Sequence, residues 1–325
     1  MTHAIRFHKT GGPEVLQWED VSVPQPGPGE ALIRHKAVGL NYIDTYHRTG
    51  LYPVPLPSGI GLEAAGVVEA VGTGVTEFKP GDRVAYCNGP LGAYAEVKVH
   101  PAERLVKVPE GISFEQAASM MLQGLTVQYL LRRMLYVPKA GDTVLWHAAA
   151  GGVGLIACQW AKALGINIIG TVSSEEKAKL ARENGCTHTV IYTKEDFQAR
   201  VMEITGGKKV PIVYDSVGKD TWAKSLECLQ GRGLMVSFGN SSGAVGPVEL
   251  GILGAKGSLY VTRPSLMGYV GKRDELVAAA KDLFDMVLSG KVKVGARQSY
   301  ALKDAAQAHR DLEARKTTGS TVLVP

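Results

Sequence analysis

Small residues between Thr143 and Ser173 could hold a phosphate. An apolar run, Thr143-Val144-Leu145-Trp146-His147, leads into Ala148-Ala149-Ala150-Gly151-Gly152-Val153-Gly154. Helix-forming residues 155–164 follow, and then a second apolar run, 166–172. This order reads as strand, glycine turn, helix, strand. Gly151, Gly152, Val153 and Gly154 let backbone approach a pyrophosphate. The helix start offers unbonded N–H groups and the positive end of a dipole. A dinucleotide site reads the adenosine ribose roughly 20 residues further on, where an NAD site wants an acid. Here the strand ends Gly170-Thr171-Val172-Ser173, without one. Ser173 and Ser174 can donate to a phosphate, and Lys177 adds a positive charge one turn on. The pattern predicts NADPH over NADH. Glu175 and Glu176 argue the other way, since they could repel a phosphate or simply cap the helix.

Elements must hold this turn in place. Residues 1 to about 120 read as short apolar runs cut by Gly/Pro turns, such as Pro24-Gln25-Pro26-Gly27-Pro28-Gly29 and Lys79-Pro80-Gly81-Asp82. From about 123 the rhythm changes. Strands are expected at 143–147, 166–172, 188–192, 210–216, 232–238 and 257–262. Helices are expected at about 152–164, 175–184, 195–204 and 219–229. Six strands in alternation with helices predict an α/β fold with a doubly wound parallel sheet. The expected domains are a β-rich domain over 1–122, a nucleotide-binding domain over 123–262, and a helix and tail over 263–325 that return to the first.

Composition excludes other classes. A net charge of +5 over 325 residues suits anionic small ligands and lacks the concentrated basic footprint of a nucleic-acid partner. Cys87, Cys158, Cys186 and Cys228 are scattered, with no CxxC, so neither a zinc lobe nor a disulfide framework is indicated. A reducing, cytoplasmic setting is expected. The N-terminus shows no secretory signal. Residues 143–161 carry no Asp, Glu, Lys or Arg, but the glycine cluster would break a membrane helix, so no membrane insertion is expected.

A β domain followed by a nucleotide-binding domain resembles the medium-chain dehydrogenase/reductase superfamily, over the whole chain. That implies a GroES-like barrel beside a Rossmann domain with a six-stranded sheet. Zinc-dependent members carry a Cys in Gly-x-Cys-x-Ser/Thr-Asp and a His in Gly-His-Glu. The matching segments here are Gly39-Leu40-Asn41-Tyr42-Ile43-Asp44 and Gly61-Leu62-Glu63. Asn41 and Leu62 replace the thiolate and the imidazole, which implies a zinc-free member. The run Gly141-Asp142, Leu145, Ala149-Ala150-Gly151-Gly152-Val153-Gly154, Gln159 and Lys162 is similar to the signature of quinone oxidoreductases related to zeta-crystallin. Asn41-Tyr42-Ile43-Asp44-Thr45-Tyr46, Gly50-Leu51-Tyr52-Pro53 and Ser237-Phe238-Gly239-Asn240 look like the bacterial members. Ala148 departs from zeta-crystallin's glycine, and only a slight change in turn geometry is expected.

Reduction of a quinone puts negative charge on its oxygen, and a phenol or amide aimed there stabilises it. Asn41, Tyr46 and Tyr52 supply such donors in one short segment, which the resemblance turns toward the nicotinamide. Asp44 is either a cofactor contact or a turn residue. The resemblance also implies Tyr192 beside the adenine or its phosphate, and Thr126, Ser216, Phe238, Gly239 and Asn240 along the ribose and nicotinamide. It brings Arg263 and Arg315 toward the cofactor from the tail. His147 reads as a packed strand end. Activated C=C bonds are an alternative substrate, and a crystallin-like structural or RNA-binding protein is the reading from another class. A homodimer is expected through pairing of the 257–262 edge, unless Arg263-Pro264 shields it.

NADPH should bind more tightly than NADH by about 1–3 kcal/mol, the worth of a charge-assisted contact to phosphate. Lys177→Ala should erode that preference and leave NADH affinity unchanged. Equal affinities in the parent, by titration calorimetry, would refute this.

Overall fold

A computed structural model describes residues 2–325. The chain forms two compact units, 1–125 with 270–288 and 294–325, and 126–269 with 289–293.

The second unit is built on the predicted strands. Thr143–Trp146, Asn167–Val172, His188–Ile191, Val210–Asp215, Leu229–Ser237 and Tyr260–Thr262 form one six-stranded sheet. Counted along the chain, their order in space is third, second, first, fourth, fifth, sixth, and every pairing is parallel. Val172 pairs with Ile191, so these two strands end side by side. Apolar runs such as Asn167–Val172 are buried on both faces, as a helix-covered parallel sheet requires. The order reverses between the first and fourth strands. The crevice beyond their carboxyl ends is where such sheets take ligands.

Of the boundaries that differ from expectation, two have clear local reasons. The last strand begins at Tyr260 rather than 257, because Gly257 and Ser258 have φ of +102° and +59°, which no extended strand allows. The third helix begins at Phe197, because the Asp196 carboxylate accepts from the Gln198 and Ala199 N–H groups and caps it there.

In the first unit the spine is the strand Glu30–Leu40. It pairs antiparallel with Glu63–Val71, Val97–Pro101 and the C-terminal strand Ser320–Val324. Alternate residues of the spine are buried up to His35, and from Ala37 onward all are. The core gathers around Ile5, Phe7, Ile33, Val38, Ile60, Leu105 and Leu323. At the buried end of the spine the backbone is crowded. A Cβ on Gly39 would lie 2.3 Å from the Ala118 carbonyl oxygen and 2.4 Å from Glu63 Oε2. Thr321 pairs with Leu40, which brings Ser320 to the start of the segment that follows, at Asn41. Among the described residues no helix is long and apolar enough to cross a membrane.

Candidate active site

The glycine turn of the second unit forms as its sequence demands. After Trp146 the chain reverses through Ala148 at φ +56°, a left-handed conformation that costs a non-glycine residue about 1 kcal/mol. The turn geometry is kept, with the strain of a left-handed alanine. Gly151 N–H closes the turn onto the Ala148 carbonyl at 3.0 Å. Gly151 then caps the helix Gly152–Ala163 with no side chain of its own, which leaves the N–H groups of the first turn for a ligand. A Cβ on Gly154 would lie 2.4 Å from the Ala148 carbonyl oxygen, so only glycine lets this helix approach the strand end so closely. These residues fit a pyrophosphate.

Ser173 follows the second strand and is half-buried. Its neighbour Ser174 caps the helix Glu175–Glu183 by accepting from Lys177 N–H at 3.3 Å. Glu175 turns to Lys194, 3.4 Å away, and Glu176 to the Ser174 hydroxyl. Both acids therefore have partners within the chain. Tyr192 follows the neighbouring strand and donates its N–H to Val172 O at 3.1 Å. Thr193 Oγ1 donates to Ser173 O at 3.0 Å. Ser173, Lys177 and Tyr192 thus come from two adjacent strand ends.

Further along the sheet, Asp215 accepts from the Val217 and Gly218 N–H groups and the Thr221 hydroxyl, and so shapes the loop of Ser216. A Cβ on Gly239 would lie 2.5 Å from Ser216 O, so these two loops touch. The Phe238 ring lies 5.8 Å from that of Trp146. Arg263 is anchored here: Nη1 donates to Ser237 O at 3.0 Å, and Nη2 donates to the Asn240 amide oxygen at 3.2 Å. Thr126 is buried at the start of the unit. His147 is a packed strand end, bonded to Thr171 Oγ1 and Ser225 Oγ at 2.9 Å each, with its imidazole held neutral by burial.

The donors of the first unit stand on and beside one short helix, Tyr42–Thr49. Tyr42 and Tyr46 are one turn apart and meet at 5.6 Å between ring centres. Gly50, at φ +82°, turns the chain back. Tyr52 N–H then donates to Tyr46 O at 3.0 Å, and the Tyr52 ring meets Tyr46 edge-on at 5.2 Å. His47 extends the cluster, 5.9 Å from Tyr52, and burial lowers its pKa. Burial raises the pKa of Tyr42, as does the Glu313 charge, while the Arg315 charge opposes both. Arg315 is thus placed on the Tyr42 side, at φ +58° in the first unit.

Asn41 precedes this helix and is only 5% exposed. Its amide Nδ2 donates to Glu63 Oε2 at 2.6 Å, and its Oδ1 accepts from Gln123 Nε2 at 3.2 Å. Gln123 Oε1 in turn accepts from the Ser320 hydroxyl at 2.7 Å. Glu63 Oε1 accepts from Leu122 N–H at 2.8 Å. Asn41's own N–H donates to Asp44 Oδ2 at 2.9 Å. Burial pushes the Glu63 acid up to about 8, with the Asp44 charge adding to the rise, against the hydrogen bonds from Asn41, Leu122 and Met121. Asp44 is likewise raised by burial, to about 7. The Asp44 carboxyl has no exposed surface and holds the helix start. Among the described residues no three His, Cys, Asp or Glu gather as a metal site would need.

The sequence reading did not assign roles to Glu63, Gln123, Tyr94, His309 or Arg48. Glu63 had one signal, its place after Leu62. Gln123, Tyr94 and His309 come from distant segments and left none, and Arg48, though on the helix itself, gave none without its distant partners.

Residues 27–110 match the alcohol dehydrogenase GroES-like domain, and 152–285 the zinc-binding dehydrogenase family. A quinone oxidoreductase of Pseudomonas aeruginosa is 59% identical over 100% of both chains. A 2-haloacrylate reductase of a Burkholderia species is 48% identical over 100% of this chain and 99% of its own. The Escherichia coli quinone oxidoreductase, solved in complex with NADPH, superposes with a TM-score of 0.98 at 56% identity, covering 99% of this chain and 100% of that one. The chain belongs to the quinone oxidoreductases of the medium-chain dehydrogenase/reductase superfamily, and it is an oxidoreductase.

Glu63 has a folded pKa of about 8 against 4.5 when free, so its contribution to stability is present at low pH and fades as pH rises through about 8. Glu63→Gln cannot titrate, and its amide offers one acceptor to donors that reach both oxygens. The variant should have the lower Tm at about pH 5, with the gap narrowing toward about pH 9. Parallel Tm–pH curves would show that Glu63 does not titrate in this range.

Proposed function

We propose that the protein is an NADPH-dependent reductase of quinones. The observation that carries this reading is the cluster of Tyr42, Tyr46 and Tyr52, set on and just after a helix whose start a buried carboxyl group holds. It is supported by 59% identity to a protein named quinone oxidoreductase and by likeness to an NADPH-bound structure. When bound, the cofactor supplies a hydride. The chain's own work is to hold, orient and neutralise.

In this reading Gly151, Gly152, Val153 and Gly154 receive the pyrophosphate, and Ser173 and Lys177 the 2′-phosphate, beside Tyr192. Thr126, Ser216, Phe238, Gly239, Asn240 and Arg263 line the path of the ribose and nicotinamide, and Arg315 lends positive charge on the Tyr42 side. Tyr46 and Tyr52 donate hydrogen bonds to the quinone oxygen as negative charge gathers on it. Asn41, its amide fixed by Glu63 and Gln123, sets the floor of that site. The cysteines are all buried and free, which suits a reducing cytoplasm.

A second reading, reduction of activated C=C bonds, is favoured by the 48% identity to a 2-haloacrylate reductase. Hydride addition to an enone also leaves an oxyanion, and the same phenols would stabilise it.

Steady-state oxidation of NADPH against quinones and enones, with product analysis, separates the two. Tyr52→Phe should lower kcat by about 10- to 100-fold and leave NADPH affinity unchanged. Turnover of enones alone would decide for the second reading, and an unaffected Tyr52→Phe would remove the phenol from the mechanism.

We also read the protein as a homodimer. Tyr260–Thr262 is the outer strand of the six-stranded sheet, and Tyr260 and Val261 are exposed. Two such edges can pair about a two-fold axis. Sedimentation at micromolar concentration should give about twice the 34.6 kDa of one chain, and a monomer mass would reject the pairing.

A further inference from the structure

The helix Tyr42–Thr49 is tied down near both ends by groups that the proposed reduction does not use. Near its C-terminus lies Arg48, 1% exposed. Its Nε donates to Gly11 O at 3.1 Å, and its Nη2 to Glu313 Oε1 at 2.6 Å. Its Nη1 is 2.9 Å from His309 Nδ1. A guanidinium only donates, so Nδ1 must be the acceptor, and the ring proton of His309 sits on Nε2. Nε2 is 3.1 Å from the Tyr94 hydroxyl and donates to it. Tyr94 then gives its own proton to Asp44 Oδ2 at 2.8 Å. Asp44 Oδ2 is also the atom that takes the Asn41 N–H and fixes the helix start.

Every bond in this chain points one way, from guanidinium to carboxyl, and the donors and acceptors permit no reversal. Bonds aligned in this manner strengthen one another in a buried setting. His309 stays neutral, because burial and then the Arg48 charge lower its pKa to about 3. Asp44 Oδ1 is buried without a partner, so the Asp44 carboxyl acts on the helix start through Oδ2 alone. Glu63, Tyr94, His309 and Arg48 are the titratable and charged groups around Asp44.

We propose that Tyr94 and His309 are positioning residues. Their relay between Arg48 and Asp44 fixes where the Tyr42–Thr49 helix begins, and with it the stance of Tyr46. The consequence for turnover rests on the reading of Tyr46 as a donor to the substrate oxygen.

His309→Gln offers an acceptor to Arg48 and a donor to Tyr94, whereas His309→Leu offers neither. With NADPH bound, the Leu variant should exchange the amides of residues 42–46 faster. It should lose about tenfold in kcat, the size expected when buried partners are left unpaired, with KM for NADPH unchanged. The Gln variant should recover most of both. Tyr94→Phe keeps the ring, removes the hydroxyl that accepts from His309 and donates to Asp44, and serves if the Leu variant does not fold. It should speed the same amides and move the Asp44 step of the pH profile upward, since the lost bond had lowered that pKa. Unchanged exchange in both His309→Leu and Tyr94→Phe would overturn the relay, as would a Gln variant no better than Leu. Exchange is read without substrate, so it judges the relay even if no quinone is reduced.

Discussion

Asp44 and Glu63 have no exposed surface, and both of their side chains bond to Asn41. Carboxyl groups taken out of water cost several kcal/mol each when ionised, unless donors replace the water. The chain supplies those donors from widely separated places. Leu122 N–H and the Asn41 amide reach Glu63, while Asn41 N–H and the Tyr94 hydroxyl reach Asp44. Much of the first unit is arranged to bring them in. The crowded spine end at Gly39, the C-terminal strand with Ser320 and the helix of His309 all converge on this point. The tyrosine cluster inherits its position from that arrangement, because its helix starts at Asn41.

The second unit meets a different constraint. The turn is made from residues with little or no side chain, which leaves backbone N–H groups of the kind a phosphate takes. Gly154 has no room for a Cβ, and Gly151 caps its helix with nothing. Ala148 shows the limit of tolerance. It takes a left-handed conformation that glycine would adopt without strain, and the buried bonds of His147 and Ala149 on either side hold it there.

The sheet and the glycine turn are legible in the sequence alone, whereas the helix Tyr42–Thr49 is not, because the turns around it read as part of a β domain. The sheet and the glycine turn rest on local physics: apolar runs of strand length and small residues at a strand-to-helix turn. The strand at 257 was misjudged because composition cannot reveal the positive φ of Ser258. Tertiary structure alone decided what becomes of the polar side chains. Asp44 reads equally as a ligand contact or a turn residue in the sequence, and its burial comes only with the fold. Glu63, Gln123 and Ser320 lie too far apart in sequence to suggest one network, and His309 is 261 residues from Arg48. A hydrogen bond between distant residues leaves no periodicity behind. It exists only because strand pairing and core packing have already brought its partners within 3 Å or so of each other.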